Sequence, residues 1–185
     1  YQAGMRVFQG GAVAAQILSS VFLPRVAALS GDVDGFRRES HRAQMAFLFV
    51  GAGFGISITV LAHEIVFVLY GDAYAELIRM FPLFGLLFFA RFSAAAWGVV
   101  LTAMGEQAFR TMATVLHWCM VILIAPILVS AFGVSGWLLA LVAGNVVLAL
   151  LYARRAAIGT SNPWRTVALT GLAAIAFLPF LHLSP

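Results

Sequence analysis

Long apolar runs recur along the whole chain with short polar interruptions, and each run is long enough to cross the hydrocarbon core of a bilayer. Of the 185 residues, 63% are hydrophobic and only 10% are charged, and the mean hydropathy is +1.00. The runs are continuously apolar, whereas the strands of a membrane barrel alternate in segments of about ten residues. The sequence therefore predicts an all-α, polytopic membrane helix bundle. We expect about six transmembrane helices, near Met5–Ala28, Met45–Leu69, Met80–Ala103, Thr111–Phe132, Val134–Ala153 and Val167–Leu183.

The basic residues are all arginine, and most of them lie in alternate loops between the predicted helices. They are Arg37, Arg38 and Arg42 after the first helix, Arg110 after the third, and Arg154, Arg155 and Arg165 after the fifth. The positive-inside rule predicts that these loops face the cytoplasm, so the first helix runs from outside to inside. The net charge of +4 follows from this bias and indicates no nucleic-acid partner. Membrane lipids are the expected partner.

The chain begins at Tyr1 without an initiator methionine or a signal region, so we expect that it begins partway through a longer protein. The single cysteine, Cys119, lies inside the fourth predicted helix and therefore supplies no disulfide framework. His63 and Glu64 are not followed by a second histidine at metalloprotease spacing. We predict that the protein is not an enzyme, has no catalytic residues, and needs no metal or cofactor.

One charged residue, Arg91, lies near the middle of the third predicted helix. About eleven residues, or roughly 17 Å of helix, separate it from either end of the apolar run, which is further than a guanidinium can reach by snorkelling. An arginine at this depth costs about 2.5 to 3.5 kcal/mol on insertion scales. We therefore expect Arg91 to face protein or water, and to serve a pathway, a partner or an anionic ligand.

The first predicted helix carries a polar stripe. Its polar residues fall within a sector of roughly 80° on a helical wheel and are Gln2, Arg6, Gln9, Gln16 and Ser20. Such groups cannot face lipid unpaired, so the stripe predicts either a cavity wall or hydrogen bonds to another helix. Amide side chains suit sugar hydroxyls, and a guanidinium suits phosphate. The predicted substrate-binding residues are Arg6, Gln9, Gln16 and Arg91.

Several stretches resemble those of a known transporter superfamily. The opening of the chain, with Tyr1, Ala3, Arg6 and Pro24 followed by the charged loop Gly31–Arg38, resembles the start of the second half of polysaccharide flippases in the multidrug/oligosaccharidyl-lipid/polysaccharide (MOP) exporter superfamily. Three later segments are similar in order and spacing, namely Glu64–Tyr74, Leu101–Gly105 and Phe132–Trp137. The resemblance covers nearly the whole chain.

This resemblance implies that residues 1–153 form the C-terminal lobe of a two-lobed MATE-like flippase of the Wzx type, with residues 154–185 adding a cytoplasmic loop and an extra transmembrane helix. The partner lobe would be a missing N-terminal lobe. In that family the helix corresponding to the first predicted helix lines the central cavity, and a basic residue at the position of Arg6 contacts the diphosphate or an acidic sugar. The interpretation of Arg91 comes from its depth alone and carries no family role.

The function implied is translocation of polyprenyl-diphosphate-linked oligosaccharides across the bacterial plasma (inner) membrane by alternating access, for cell-surface polysaccharide biosynthesis. Two alternatives belong to the same superfamily: a lipid II flippase, and a cation-coupled multidrug exporter, which would have buried acidic residues. A membrane glycosyltransferase or ligase would have a large polar outer loop, and the predicted outer loops are short.

Overall fold

The computed structural model describes residues 2–157, and it includes the side chains from residue 9 onward with the exception of residue 12. Within this range the chain is almost entirely helical and contains no strand, so the predicted all-α fold is confirmed. The elements are α1 (Gln2–Ala28), α2 (Val33–Val60), α3 (Ala62–Tyr70), a 3₁₀ helix (Asp72–Met80), α4 (Phe81–Ala103) and α5 (Gln107–Ala156).

Four helical segments in the described part of the chain are long and apolar enough to cross a membrane. They are Gln9–Ala28, Val33–Val60, Asp72–Ala103 and Gln107–Ala156. The sixth predicted helix, Val167–Leu183, lies outside the described residues, as does nearly all of the predicted C-terminal segment 154–185. The structure therefore shows a helical bundle suited to a membrane, with the number of crossings set by how α5 is divided.

The 50-residue helix α5 is interrupted at one glycine. Gly133 has φ 58° and ψ −137°, a backbone conformation that glycine adopts more readily than any residue with a side chain. The break separates an arm of residues 107–132 from an arm of residues 134–156, and these arms coincide with the fourth and fifth predicted helices. Each arm has more than the roughly 20 residues that a membrane crossing needs.

The two arms of α5 fold back on each other as an antiparallel hairpin. Next to the turn, Gly136 lies so close to the backbone of Leu128 that a Cβ atom would overlap its carbonyl group. At the open end of the hairpin, the Tyr152 hydroxyl lies 2.9 Å from Thr114 Oγ1. The hairpin is thus held by a backbone contact beside the turn and by a side-chain contact at its open end.

Helix α4 is the centre of the bundle and packs against α1, α2 and α5. Its side chains are buried or half-buried along its whole length, with one exception, Arg91, which is exposed. In a membrane such burial replaces lipid contacts with protein contacts, so close van der Waals packing is what holds α4 against its neighbours. The exposed, charged side chain of Arg91 therefore marks the one position on α4 that is available to contact water or a ligand.

Helix α2 begins twelve residues before the apolar run that predicted it. The Asp32 side chain caps its N-terminus by accepting hydrogen bonds from the backbone amides of Asp34 and Gly35, at 3.2 and 3.1 Å. From Val33 to Val60 the helix is continuous. The charged cytoplasmic stretch that the sequence predicts is therefore the first part of α2.

Helices α2 and α4 approach each other closely at glycine. A Cβ atom on Gly85 would lie 2.6 Å from the Gly55 carbonyl oxygen and 2.6 Å from Thr59 Oγ1. Both distances are shorter than side-chain atoms normally allow, so any residue larger than glycine forces the two helices apart. Small residues at such contacts are a common basis of helix association in membranes.

We expect Gly85→Ala to lower the stability of the purified protein by about 2 kcal/mol, because overpacking of a close contact costs roughly 1–3 kcal/mol. Thermal unfolding in detergent measures this loss as a lower midpoint temperature. Gly53→Ala is the matched control, since Gly53 lies in α2 with open space around it. Equal midpoints for the two variants would contradict the close contact between α2 and α4.

Candidate functional site

A cleft with a volume of about 440 Å³ lies between α1, α4 and α5. Its walls contain polar, charged and small apolar side chains. The lining residues are Ala15, Gln16, Ser19, Arg91, Ala94, Ala95, Arg110, Thr114, His117, Trp118, Leu148 and Tyr152. A cavity of this size is within the range of small-molecule sites.

Helical spacing explains how each wall of the cleft is built. On α4 the lining residues Arg91, Ala94 and Ala95 share one helical face, which continues to Gly98 one turn later. On the first arm of α5 the lining residues recur at the same period, at Arg110, Thr114, His117 and Trp118. The small side chains on α4 leave the space, and the polar ones on α5 face it.

The charge in the cleft is positive. Two arginines, Arg91 and Arg110, line it, and none of the lining residues is acidic. In the part of the chain that the structure describes, neither arginine forms an ion pair. Three other arginines do have carboxylate partners, in the pairs Arg37–Asp34, Arg42–Glu39 and Arg155–Glu106. The cleft thus presents two cations without a counter-charge among the described residues.

Arg110 is held against α4 by a short chain of hydrogen bonds. Its Nη1 atom donates to Thr102 Oγ1, and the Thr102 hydroxyl donates to the carbonyl oxygen of Gly98 at 2.7 Å. The guanidinium group lies over Gly98, where an added Cβ atom would be 3.5 Å from Arg110 Nε. These contacts fix the side chain across α4 and leave most of its five N–H donors for other partners.

Glu106, the carboxylate nearest to Arg110 in sequence, forms an ion pair with another arginine. Glu106 Oε1 lies 2.7 Å from Arg155 Nη2, so this pair joins the start of α5 to its end. The Arg155 guanidinium also stacks over the ring of Phe109, with its central carbon 5.6 Å from the ring centroid. Glu106 therefore binds Arg155 and leaves the charge of Arg110 uncompensated.

His117 is the most deeply buried polar group of the cleft, with 2% of its surface exposed. Its ring packs against Gly144 on the other arm of α5, where a Cβ atom would come within 2.8 Å of His117 Nδ1. The Nδ1 atom has no hydrogen-bond partner among the described residues. An unsatisfied buried polar atom costs about 1–3 kcal/mol, so a hydrogen-bonding group in the cleft would stabilise this arrangement.

Two of the four predicted binding residues, Gln16 and Arg91, line the same cleft. Gln9 is exposed on α1 and is not among the lining residues. Arg6 lies on α1, and its side chain lies outside the described residues. The cleft therefore brings together one residue of the α1 stripe and the arginine at mid-depth of α4.

Sequence reasoning missed Arg110, because its position in a loop arginine pattern was interpreted only as a marker of topology. The signal that points to it is the recurrence of Arg110, Thr114, His117 and Trp118 on one face of a helix. That face carries a charge, a hydroxyl, an imidazole and an indole in a mostly apolar arm.

No protein-family model matches this chain, and no curated protein or solved structure matches it significantly.

Proposed function

We propose that this chain is part of an integral membrane flippase, which moves polyprenyl-diphosphate-linked oligosaccharides across the bacterial plasma membrane by alternating access. The observation that carries the proposal is the cleft with two arginines, no acidic lining residue and no ion pair for either arginine among the described residues. A guanidinium binds phosphate oxygens through paired, charge-assisted hydrogen bonds. The cleft is therefore suited to an anionic headgroup.

The other polar groups of the cleft suit the sugars of such a lipid. Gln16 offers an amide, and the hydroxyl groups of Ser19, Thr114 and Tyr152, which donate to backbone carbonyls of Ala15 and Arg110, can accept hydrogen bonds. Their positions on three different helical segments surround a headgroup from several sides. The resemblance to MOP-superfamily flippases noted in the sequence points in the same direction.

The mechanism requires binding and movement and no covalent step. A charged diphosphate cannot enter hydrocarbon without losing its hydration, which costs tens of kcal/mol for an isolated ion. Transferring the headgroup from water to the arginines and hydroxyls of the cleft replaces that hydration, while the polyprenyl tail stays in lipid. Rocking of this lobe against a second lobe would then expose the cleft first to the cytoplasmic side and afterwards to the outer side.

A lipid II flippase would use the same headgroup chemistry, since its substrate also contains a diphosphate. A cation-coupled drug exporter fits less well, because a cationic drug needs a carboxylate and none is found among the described residues that line the cleft. The two flippase functions differ only in the saccharide attached, so the substrate must be identified chemically.

The test is to deplete the full-length protein in its host and to identify by mass spectrometry which polyprenyl-linked saccharides accumulate. We expect a diphosphate lipid with several sugars, cleared again when the wild-type gene is restored. Accumulation of lipid II instead would assign the protein to peptidoglycan synthesis. If no lipid-linked saccharide accumulates during depletion, the flippase proposal is wrong and export of small molecules becomes the function to test.

A further inference from the structure

The two arginines of the cleft lie at different depths along α4. Arg110 rests over Gly98, and Gly98 is seven residues from Arg91 on the same face of the helix. Seven residues correspond to about 10 Å of helix. The cleft therefore has two levels at which an anion can be anchored, one at the middle of α4 and one close to its C-terminal end.

We propose that Arg110 is a capture site for the phosphate group of the substrate, and that the headgroup passes from Arg110 to Arg91. The inference rests on the proposed function and its orientation, in which the end of α4 and the start of α5 face the cytoplasm. Arg110 then stands where a headgroup made in the cytoplasm first meets the cleft. Arg91 receives the headgroup deeper in the membrane.

Three contacts make Arg110 suitable for this role. Thr102 fixes one nitrogen of the guanidinium, and Gly98 lets the group lie flat on α4. Glu106, four residues away, is bound to Arg155 at 2.7 Å and so does not neutralise it. Arg110 is thus positioned and charged before any ligand arrives, which reduces the ordering that binding would otherwise require.

A capture site and a holding site have different kinetic signatures. A charge at the rim of a binding site chiefly changes the association rate and its dependence on salt. A group that contacts the ligand in its final position chiefly changes the dissociation rate. Arg110 should therefore act on association, and Arg91 on dissociation.

The experiment follows the binding of fluorescent farnesyl diphosphate to the full-length protein in nanodiscs by stopped-flow. Arg110→Gln should lower the association rate constant about tenfold at low salt and weaken its salt dependence, because local positive charge raises the encounter rate of an anion by roughly 10 to 10³. The dissociation rate constant should stay within about twofold of wild type. Arg154→Gln is the matched control, since it removes an exposed arginine that lies at the same open end of the α5 hairpin and does not line the cleft.

Arg110→Lys keeps the charge and should restore association to within about threefold of wild type. It also keeps the proposal testable if the glutamine variant does not fold, because a slow lysine variant would then contradict a role based on charge. The inference is overturned if Arg110→Gln associates as fast as Arg154→Gln, or if it alters dissociation alone. If the wild-type protein binds farnesyl diphosphate no better than farnesol, the proposed function itself is wrong.

Discussion

Replacing Arg91 with glutamate should abolish the ability of the full-length protein to rescue a depleted host. Arg91 is the one exposed residue of α4 and has no ion pair among the described residues, so its charge is available to a bound anion. Two unit charges 4 Å apart interact by about 4 kcal/mol at the effective dielectric typical of protein surfaces. Removing this attraction alone weakens binding on the order of a thousandfold, and reversing the charge adds repulsion.

Affinity for farnesyl diphosphate measures the predicted loss of binding, and accumulation of lipid-linked saccharide measures the predicted loss of rescue. Arg91→Lys should give an intermediate result, because lysine keeps the charge and loses the paired hydrogen bonds of the guanidinium. Arg79→Glu is the matched charge reversal, on an exposed arginine of the 3₁₀ helix outside the cleft. Full rescue by Arg91→Glu, with the variant and the wild-type protein present in equal amounts, would refute a binding role for Arg91.

Gly136→Ala should destabilise the protein by about 3 kcal/mol or more, at the upper end of what overpacking costs. The added Cβ atom would overlap the carbonyl group of Leu128, and backbone atoms cannot rotate away as a side chain can. To relieve the overlap, the two arms of α5 must separate.

The yield of monodisperse protein and its midpoint of thermal unfolding in detergent test this prediction. Gly31→Ala makes the same chemical change where nothing lies within 4 Å of the new atom. We expect this control to retain the wild-type midpoint within a few degrees. A Gly136→Ala protein as stable as Gly31→Ala would show that the arms of α5 are not in contact at the turn.

The helices were predictable because apolar runs of membrane length have few alternative structures. The division of α5 could also be predicted, since Gly133 and Gly136 interrupt a run that is too long for one crossing. The start of α2 could not be predicted from hydropathy, which reports where lipid begins and not where a helix begins. Asp32, a helix cap in the polar segment, sets that boundary.

The candidate site was predictable only in part. Arg91 stands out in the sequence because a charge in the middle of a membrane-spanning run is costly and therefore indicates a functional role. Arg110 does not, because its partners Thr102 and Gly98 lie on a different helix, and the turn between α4 and α5 creates that contact. His117 packs against Gly144 on the other arm of α5, and this contact and its unpartnered Nδ1 atom are visible only in three dimensions.

Glu106–Arg155 and Thr114–Tyr152 join the two arms of α5, whereas in the part of the chain that the structure describes α1 packs against α2 and α4 and touches α5 little. The weakest seam around the cleft therefore runs between α1 and α5. If a headgroup occupies the cleft, this seam is where its hydrocarbon chain can pass sideways into the bilayer. The headgroup of the lipid would then cross the membrane inside the protein, while its hydrocarbon tail stays in the bilayer.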